Sequence, residues 1–249
     1  MNGHENYVYQ IAYLPGRERI VSCSQDNTVR VWYVENGEQE GTSMTHKHGV
    51  HGLAVTRDGK SILSGGQGNS IRLWDVETHN FVKAWGGHTS MIFCIALSPD
   101  DKLVASGDRS GKIVLREIND GREIPSRACR LALRAHNGIV TCVLWSLDGS
   151  RLFSSSVDRT IRCWNSDTGK PIGEPWKGHT QSVNSLSLSP DGTKLASVSD
   201  DKTIRFWDSH SGDPIAQPLQ HDNFVDAVTF SPCGEFVASG GRDNKVSIW

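Results

Sequence analysis

The 249-residue sequence lacks a strong charge of either sign. Lys and Arg number 26 against 28 Asp and Glu, a formal net charge of −2 with pI near 6.5. That balance gives no electrostatic footing for a nucleic-acid or membrane-surface partner. Long apolar runs are missing as well: stretches such as Cys94–Leu97 are far too short to cross a bilayer. The opening Met-Asn-Gly-His-Glu has neither a basic nor an apolar segment, so no secretory signal is expected. The six cysteines (Cys23, Cys94, Cys129, Cys142, Cys163, Cys233) include no Cys-x-x-Cys pair. They read as reduced thiols of a cytoplasmic or nuclear protein rather than a disulfide framework. Helical periodicity is absent. What remains, 37% hydrophobic and 22% charged, suits a soluble globular protein able to bury a core.

What is present is a repeat. His4, His46, His88, His136, His179 and His221 each stand 28 residues before Trp32, Trp74, Arg116, Trp164, Trp207 and Trp249. Ten residues before each of the latter comes a serine: Ser22, Ser64, Ser106, Ser154, Ser197, Ser239. Six before comes Asp26, Asp158, Asp201 or Asp243, replaced by Gly68 in the second unit and Ser110 in the third. Chance does not produce six copies in one register. Between these positions the grammar is that of strands. Val183-Asn-Ser-Leu-Ser-Leu-Ser alternates, Ser189–Gly192 turns, Leu195–Ser199 returns, Asp200–Thr203 turns again, and Ile204–Trp207 completes a third strand. A fourth is expected between each Trp and the next His, for example over Pro214–Leu219.

Gly3-His4, Gly87-His88 and Gly178-His179, with Trp74-Asp75 and Trp207-Asp208, resemble the WD40-repeat (transducin β-like) family of β-propellers. The resemblance covers the whole chain. It implies an all-β fold: one propeller domain over 1–249 of six four-stranded antiparallel blades, with repeats at 3–44, 45–86, 87–134, 135–177, 178–219 and 220–249. The chain ends on Trp249, so the last blade is expected to lack its outer strand, or the chain is an excerpt of a longer array, one with seven blades included.

In that family the loop His, strand Ser, turn Asp and strand Trp form a buried hydrogen-bonded chain. Trp only donates, Asp only accepts, and Ser and His do both. Four units carry the full set: His4/Ser22/Asp26/Trp32, His136/Ser154/Asp158/Trp164, His179/Ser197/Asp201/Trp207 and His221/Ser239/Asp243/Trp249. The second lacks Asp. The third lacks both Asp and Trp, so it is expected to be the least well determined, and altering Ser110 there should matter little. Ser, His and Asp within one unit suggest a catalytic triad, but nucleophilic sites are not tiled around a fold. These residues are read as structural.

Two features break the repeat. His46-Lys47-His48-Gly49-Val50-His51 has a metal-like density of histidine, yet no acidic or Cys partner completes a ligand set. Exposed loop histidines are the expectation, with no metal and no cofactor. The join between the third and fourth units is six residues longer than elsewhere and carries Arg122, Arg127, Arg130 and Arg134. It reads as a solvated edge or as a contact for an acidic partner.

The function expected is a protein- or peptide-binding scaffold or sensor, not an enzyme. The alternative is the C-terminal sensor region of a larger STAND-type signalling NTPase or of another seven-bladed WD40 protein. A propeller enzyme would need convergent non-repeated His and carboxylates, which are not found. The Trp-Asp-x-x-Arg signature of cullin-ligase receptors is missing. Resemblance places partner contacts three and five residues after the repeat His and one before the turn Asp. That marks Tyr7, Tyr9, Met91, Phe93, Arg109, Phe224, Asp226 and Arg242 as the principal contacts. In a closed six-blade ring Phe224 and Arg242 would neighbour Tyr7 and Tyr9, with Val8, Ile92 and Val225 pointing inward between them. The edge of the sixth blade is expected to support weak self-association. No nucleic acid or membrane is expected.

Overall fold

The computed structural model describes residues 3–118 and 135–249. Among the described residues there is no helix, and the strands form six antiparallel sheets. The chain divides into two compact units, Met1–Ile124 and Pro125–Trp249, with three sheets in each. The Arg122, Arg127, Arg130 and Arg134 stretch lies outside the described residues.

In the first unit the first sheet holds β1 (Val8–Tyr13), β2 (Arg19–Ser24), β3 (Thr28–Tyr33) and β4 (Gln39–Thr45). The second holds β5 (Val50–Val55), β6 (Ser61–Gly66), β7 (Ile71–Asp75) and β8 (Phe81–Trp85). The third has β9 (Ile92–Leu97), β10 (Leu103–Asp108) and β11 (Ile113–Glu117). In the second unit the fourth sheet holds β12 (Val140–Trp145), β13 (Arg151–Ser156), β14 (Ile161–Asn165) and β15 (Pro171–Trp176). The fifth holds β16 (Val183–Leu188), β17 (Lys194–Ser199), β18 (Thr203–Asp208) and β19 (Leu219–Gln220). The sixth has three strands among the described residues, β20 (Val225–Phe230), β21 (Val237–Gly241) and β22 (Val246–Ile248).

Every sheet is a meander, because the connections are too short for anything but hairpins. In repeats two to five the first turn is closed by its own polar side chains; in the fifth, Ser189 Oγ donates to Asp191, and Gly192 N bonds Ser189 O at 2.8 Å with φ of 74°. The outer strand of the fifth sheet is shorter than the Pro214–Leu219 expectation. Pro214 makes only an isolated bridge to Trp207, and pairing resumes at Leu219. Pro214 and Pro218 have no N–H to give the ladder, and the segment between them is tied to β18 by Ile215 N, which bonds Phe206 O at 2.9 Å.

The cores lie between successive sheets of each unit. Val29, Val31 and Met44 pack against Val50, Leu53 and Ile62, and Leu63, Ile71 and Leu73 against Ile92, Ile95 and Val104. In the second unit Phe153, Ile161 and Cys163 meet Val183, Leu186 and Leu195, and Ala196, Val198 and Ile204 meet Val225, Val228 and Val237. Cys23 and Cys163 are thus free core residues, and burial pushes the Cys23 thiol up to about 12.

Each sheet is tied internally by the polar chain. Trp32 Nε1 donates to Ser22 Oγ (2.7 Å), Ser22 Oγ meets His4 Nε2 (2.6 Å), and His4 Nδ1 meets Asp26 Oδ2 (2.7 Å). The carboxylate can only accept, so the ring proton sits on Nδ1 and Nε2 receives the serine O–H. The same chain runs through His136, Ser154, Asp158 and Trp164, and through His179, Ser197, Asp201 and Trp207. In the sixth sheet His221 Nδ1 to Asp243 stretches to 3.5 Å, while Ser239 still holds His221 (2.8 Å) and Trp249 (2.9 Å). Burial raises the Asp201 carboxyl, but His179, the Thr203 hydroxyl and the Thr180 N–H pull it the other way, well below the carboxylate range.

The third sheet departs from expectation. His88 Nδ1 does find a carboxylate, that of Asp108, at 2.7 Å, with Ser106 on Nε2 at 2.7 Å. Ser110 Oγ donates to Asp108 Oδ1 at 2.7 Å. Where the first, fourth and fifth repeats read Ser-x-Asp, as in Ser24-Gln25-Asp26, this one reads Asp108-Arg109-Ser110. The two side chains have exchanged places and the charge still reaches the histidine. Arg116, in the Trp position, is buried and donates through Nη2 to the Gly86 carbonyl. The polar chain of the second sheet holds no carboxylate: Ser64 holds His46 Nε2 and Trp74 Nε1, each at 2.7 Å. Burial, helped by the charge of Arg72, pushes the His46 pKa down to about 3.

Two outcomes follow from this geometry. Asp108→Ala should destabilise by about 1–3 kcal/mol, as Asp201→Ala should, with Ser110→Ala costing clearly less. Denaturation midpoints of the three variants check the order. Separately, a Cβ at Gly68 would meet nothing within 4 Å. Gly68→Asp should complete the second chain and stabilise by about 1 kcal/mol. The sign with pH is set by His46: below about pH 6.5 the unfolded chain takes up a proton that the fold refuses, so stability falls toward acid. In Gly68→Asp that loss between pH 7 and pH 5, read by thermal melts, should shrink.

Candidate functional site

The first strand of every sheet carries a β-bulge at the same place. Val8 pairs Ser24 and Gln10 pairs Cys23, leaving Tyr9 unmatched in the ladder. The equivalent residues are His51, Phe93, Thr141, Asn184 and Asp226, each five after the repeat histidine. A bulge bends the strand and re-aims the side chain it carries. A second contact recurs beside it: Gln25 N bonds Tyr7 O, Arg109 N bonds Met91 O and Arg242 N bonds Phe224 O, each at 2.9 Å. Gly49–Gln67, Ile139–Val157 and Ser182–Asp200 repeat the bond. Within each repeat the three contact positions are therefore brought to one end of the sheet, where the first strand begins and the second ends.

In the first unit the bulged residues form an aromatic row. Tyr9 stacks on His51 with ring centroids 4.0 Å apart and planes at 25°, and His51 lies 5.3 Å from Phe93 at 47°. Tyr9 Oη donates to Gln25 Oε1 (3.2 Å), and Gln67 Nε2 reaches the same oxygen at 3.4 Å. Tyr7 and Arg109 are exposed, Met91 and Phe93 half-buried. His51 is buried, Nε2 has no partner among the described residues, and burial lowers its pKa.

In the second unit the same positions are polar. Thr141 Oγ1 donates to Val183 O (2.6 Å), and Asn184 Nδ2 to Val225 O (2.9 Å) and Asp200 Oδ1 (2.8 Å). Each thereby reaches the first strand of the next sheet. Phe224, Asp226 and Arg242 form one cluster: the Arg242 guanidinium lies 5.2 Å over the Phe224 ring, with Nε 3.6 Å from Asp226.

The contacts expected from sequence thus fall into two groups, Tyr7, Tyr9, Met91, Phe93 and Arg109 in the first unit and Phe224, Asp226 and Arg242 in the second. Sequence reasoning had left His51 outside the principal set. Its position five after His46 was the available signal. The histidines of the His46–His51 stretch are also not the uniformly exposed loop residues expected. His46 enters the polar chain, His51 enters the aromatic row, and only His48 is exposed. Ile92 and Val225 point inward, but Val8 is exposed, because no sheet of its own unit covers that side of β1.

A family profile described as "WD domain, G-beta repeat" matches residues 1–33, 37–75, 79–116, 127–165, 169–208 and 212–249. The chain belongs to the WD40-repeat family. Each sheet is a WD40 blade, and the matched stretches close at or beside the Trp position of each blade. Among curated relatives, Nuclear distribution protein PAC1 of Coccidioides posadasii is 34% identical over 137 residues, 51% of this chain and 29% of that protein. THO complex subunit 3 of Arabidopsis thaliana is 38% identical over 118 residues, 46% of this chain and 38% of that one. Protein groucho of Drosophila melanogaster is 24% identical over 117 residues, 47% and 16%. The chain spans well under two thirds of the length of each of these WD40-type relatives.

An unpartnered buried nitrogen costs stability that a WD40 blade does not need to lose. His51→Phe keeps a ring for Tyr9 to stack on and should raise stability by about 1 kcal/mol. A denaturation midpoint that falls instead would show that His51 Nε2 is bonded in solution.

Proposed function

We propose that this WD40-repeat chain is a non-catalytic platform that binds another protein or peptide. Its principal docking surface is the aromatic row Tyr9–His51–Phe93, extended by Tyr7, Met91 and Arg109. The observation that carries this reading is the bulge repeated in all six first strands, which in the first unit turns ring after ring toward one edge of the blades. Aromatic, Met and Arg side chains anchor interfaces because they bring large area with few torsions to freeze. Phe224 and Arg242 form a second, smaller contact of the same chemistry, with Asp226 orienting the guanidinium.

The non-catalytic part of the reading rests on the serines. Ser22, Ser106, Ser154 and Ser197 are buried, and in three of these four a Trp N–H already occupies the hydroxyl oxygen. A nucleophile needs that oxygen free and reachable. One relative is by name a complex subunit, which is in keeping with a scaffold role.

Affinity capture followed by mass spectrometry tests the reading. Tyr9→Ala/Phe93→Ala should lose most of the captured set at a melting temperature close to that of the parent, and Phe224→Ala should lose less. Unchanged capture by the folded double variant would remove the row from the interface.

A further inference from the structure

The residue before the turn-Asp position is Gln25 in the first repeat, Gln67 in the second and Arg109 in the third. All three lie in the first unit, and each sits in the same repeat as one ring of the Tyr9–His51–Phe93 row. Gln25 is held in a particular way. The second repeat has Gly49 where the first has Tyr7 and the third Met91. A Cβ on Gly49 would come within 2.8 Å of both terminal amide atoms of Gln25. The Gln25 amide therefore lies where a contact side chain would otherwise stand. Its Oε1 is used twice, by Tyr9 Oη at 3.2 Å and by Gln67 Nε2 at 3.4 Å. Gln25 Nε2 is left as a donor and Gln67 Oε1 as an acceptor, neither with a partner among the described residues.

Arg109 supplies charge. Its guanidinium makes no ion pair among the described residues, whereas Arg242, at the same position of the sixth repeat, has Asp226 beside it. The described loops at this end of the three sheets carry Lys47 and Lys112 as well as Arg109. Against them stands the exposed Glu5, because Asp26 and Asp108 are already bonded to histidines.

We propose that the row takes an extended acidic peptide segment of another protein, with an Asp or Glu side chain of that segment paired to Arg109. A free donor on Gln25 next to a free acceptor on Gln67 matches the C=O and N–H that an extended chain offers. A carboxylate is the planar acceptor that a lone guanidinium fits. Alternate side chains of an extended chain point the same way, so the residue two positions from the acid faces the rings, and an apolar side chain suits it. This inference rests on the row being the docking surface and adds the chemistry of what docks there.

The test pans random short peptides displayed on phage against the whole chain. Enriched peptides should carry Asp or Glu two positions from an aromatic or large aliphatic residue. A synthetic peptide of the enriched sequence is then titrated against the parent and against variants first shown to melt near the parent temperature. Arg109→Glu should weaken binding at least about tenfold, and replacing the peptide's acid with Lys should restore binding to that variant. Gln67→Ala should weaken binding of the same peptide. A parent chain that enriches nothing, enriched peptides without an acid, or unchanged affinity in Arg109→Glu would each overturn the proposal. Tyr9→Ala/Phe93→Ala separates the two readings. Loss of the peptide in that double variant with no effect at Arg109 would sink the acidic partner and keep the row. Full binding by the double variant would sink both.

Discussion

The hydrogen bond between His Nε2 and the strand serine, made in all six sheets, is the constraint on which the rest depends. It joins the loop before the first strand to the second strand and, through the serine, to the third-strand Trp where there is one, and in five sheets His Nδ1 adds a carboxylate of the turn after the second. One ring therefore fixes three strands. With the loop pinned at His4, the first strand must begin at Val8, and the pairing of Val8 with Ser24 sets the register from which the bulge departs. The third sheet shows that the charge matters more than the residue that bears it. Asp108 and Ser110 trade positions, and the carboxylate still arrives 2.7 Å from His88. The second sheet shows the cost of omission: with Gly68 there, His46 is buried beside Arg72 and has lost nearly all tendency to protonate.

The repeat was legible in the sequence because it is one-dimensional information. Spacing alone set His, Ser, Asp and Trp in register, and the alternation between them gave the strands. Three things were not legible. The Asp108/Ser110 exchange keeps the chemistry but moves it by two positions, so a reading by position registers the loss of a carboxylate that is still there. The bulge leaves no mark in the hydrophobic pattern, because Tyr9, His51, Phe93, Thr141, Asn184 and Asp226 share no residue type. Only the pairing registers reveal it. The exposure of Val8 was hidden for a different reason: a first-strand valine is inward wherever a neighbouring sheet covers it, and the sequence does not say which first strand is uncovered. The contact positions taken from the family resemblance fall at the bulge and beside it, while the choice among them passed over His51.

The bulge also explains how one repeat supplies two chemistries. A residue outside the ladder is released from the alternation that the core imposes, so its side chain can vary without disturbing either face. The second unit uses that freedom for internal stitching, with Thr141 and Asn184 bonding carbonyls of the next first strand. The first unit uses it for rings that bond nothing across the blades and stack instead. Stacked rings need less exact placement than hydrogen bonds, and they leave faces and edges available. His51 Nε2, buried and without a partner, is the clearest sign that the row was not selected for the stability of the free chain.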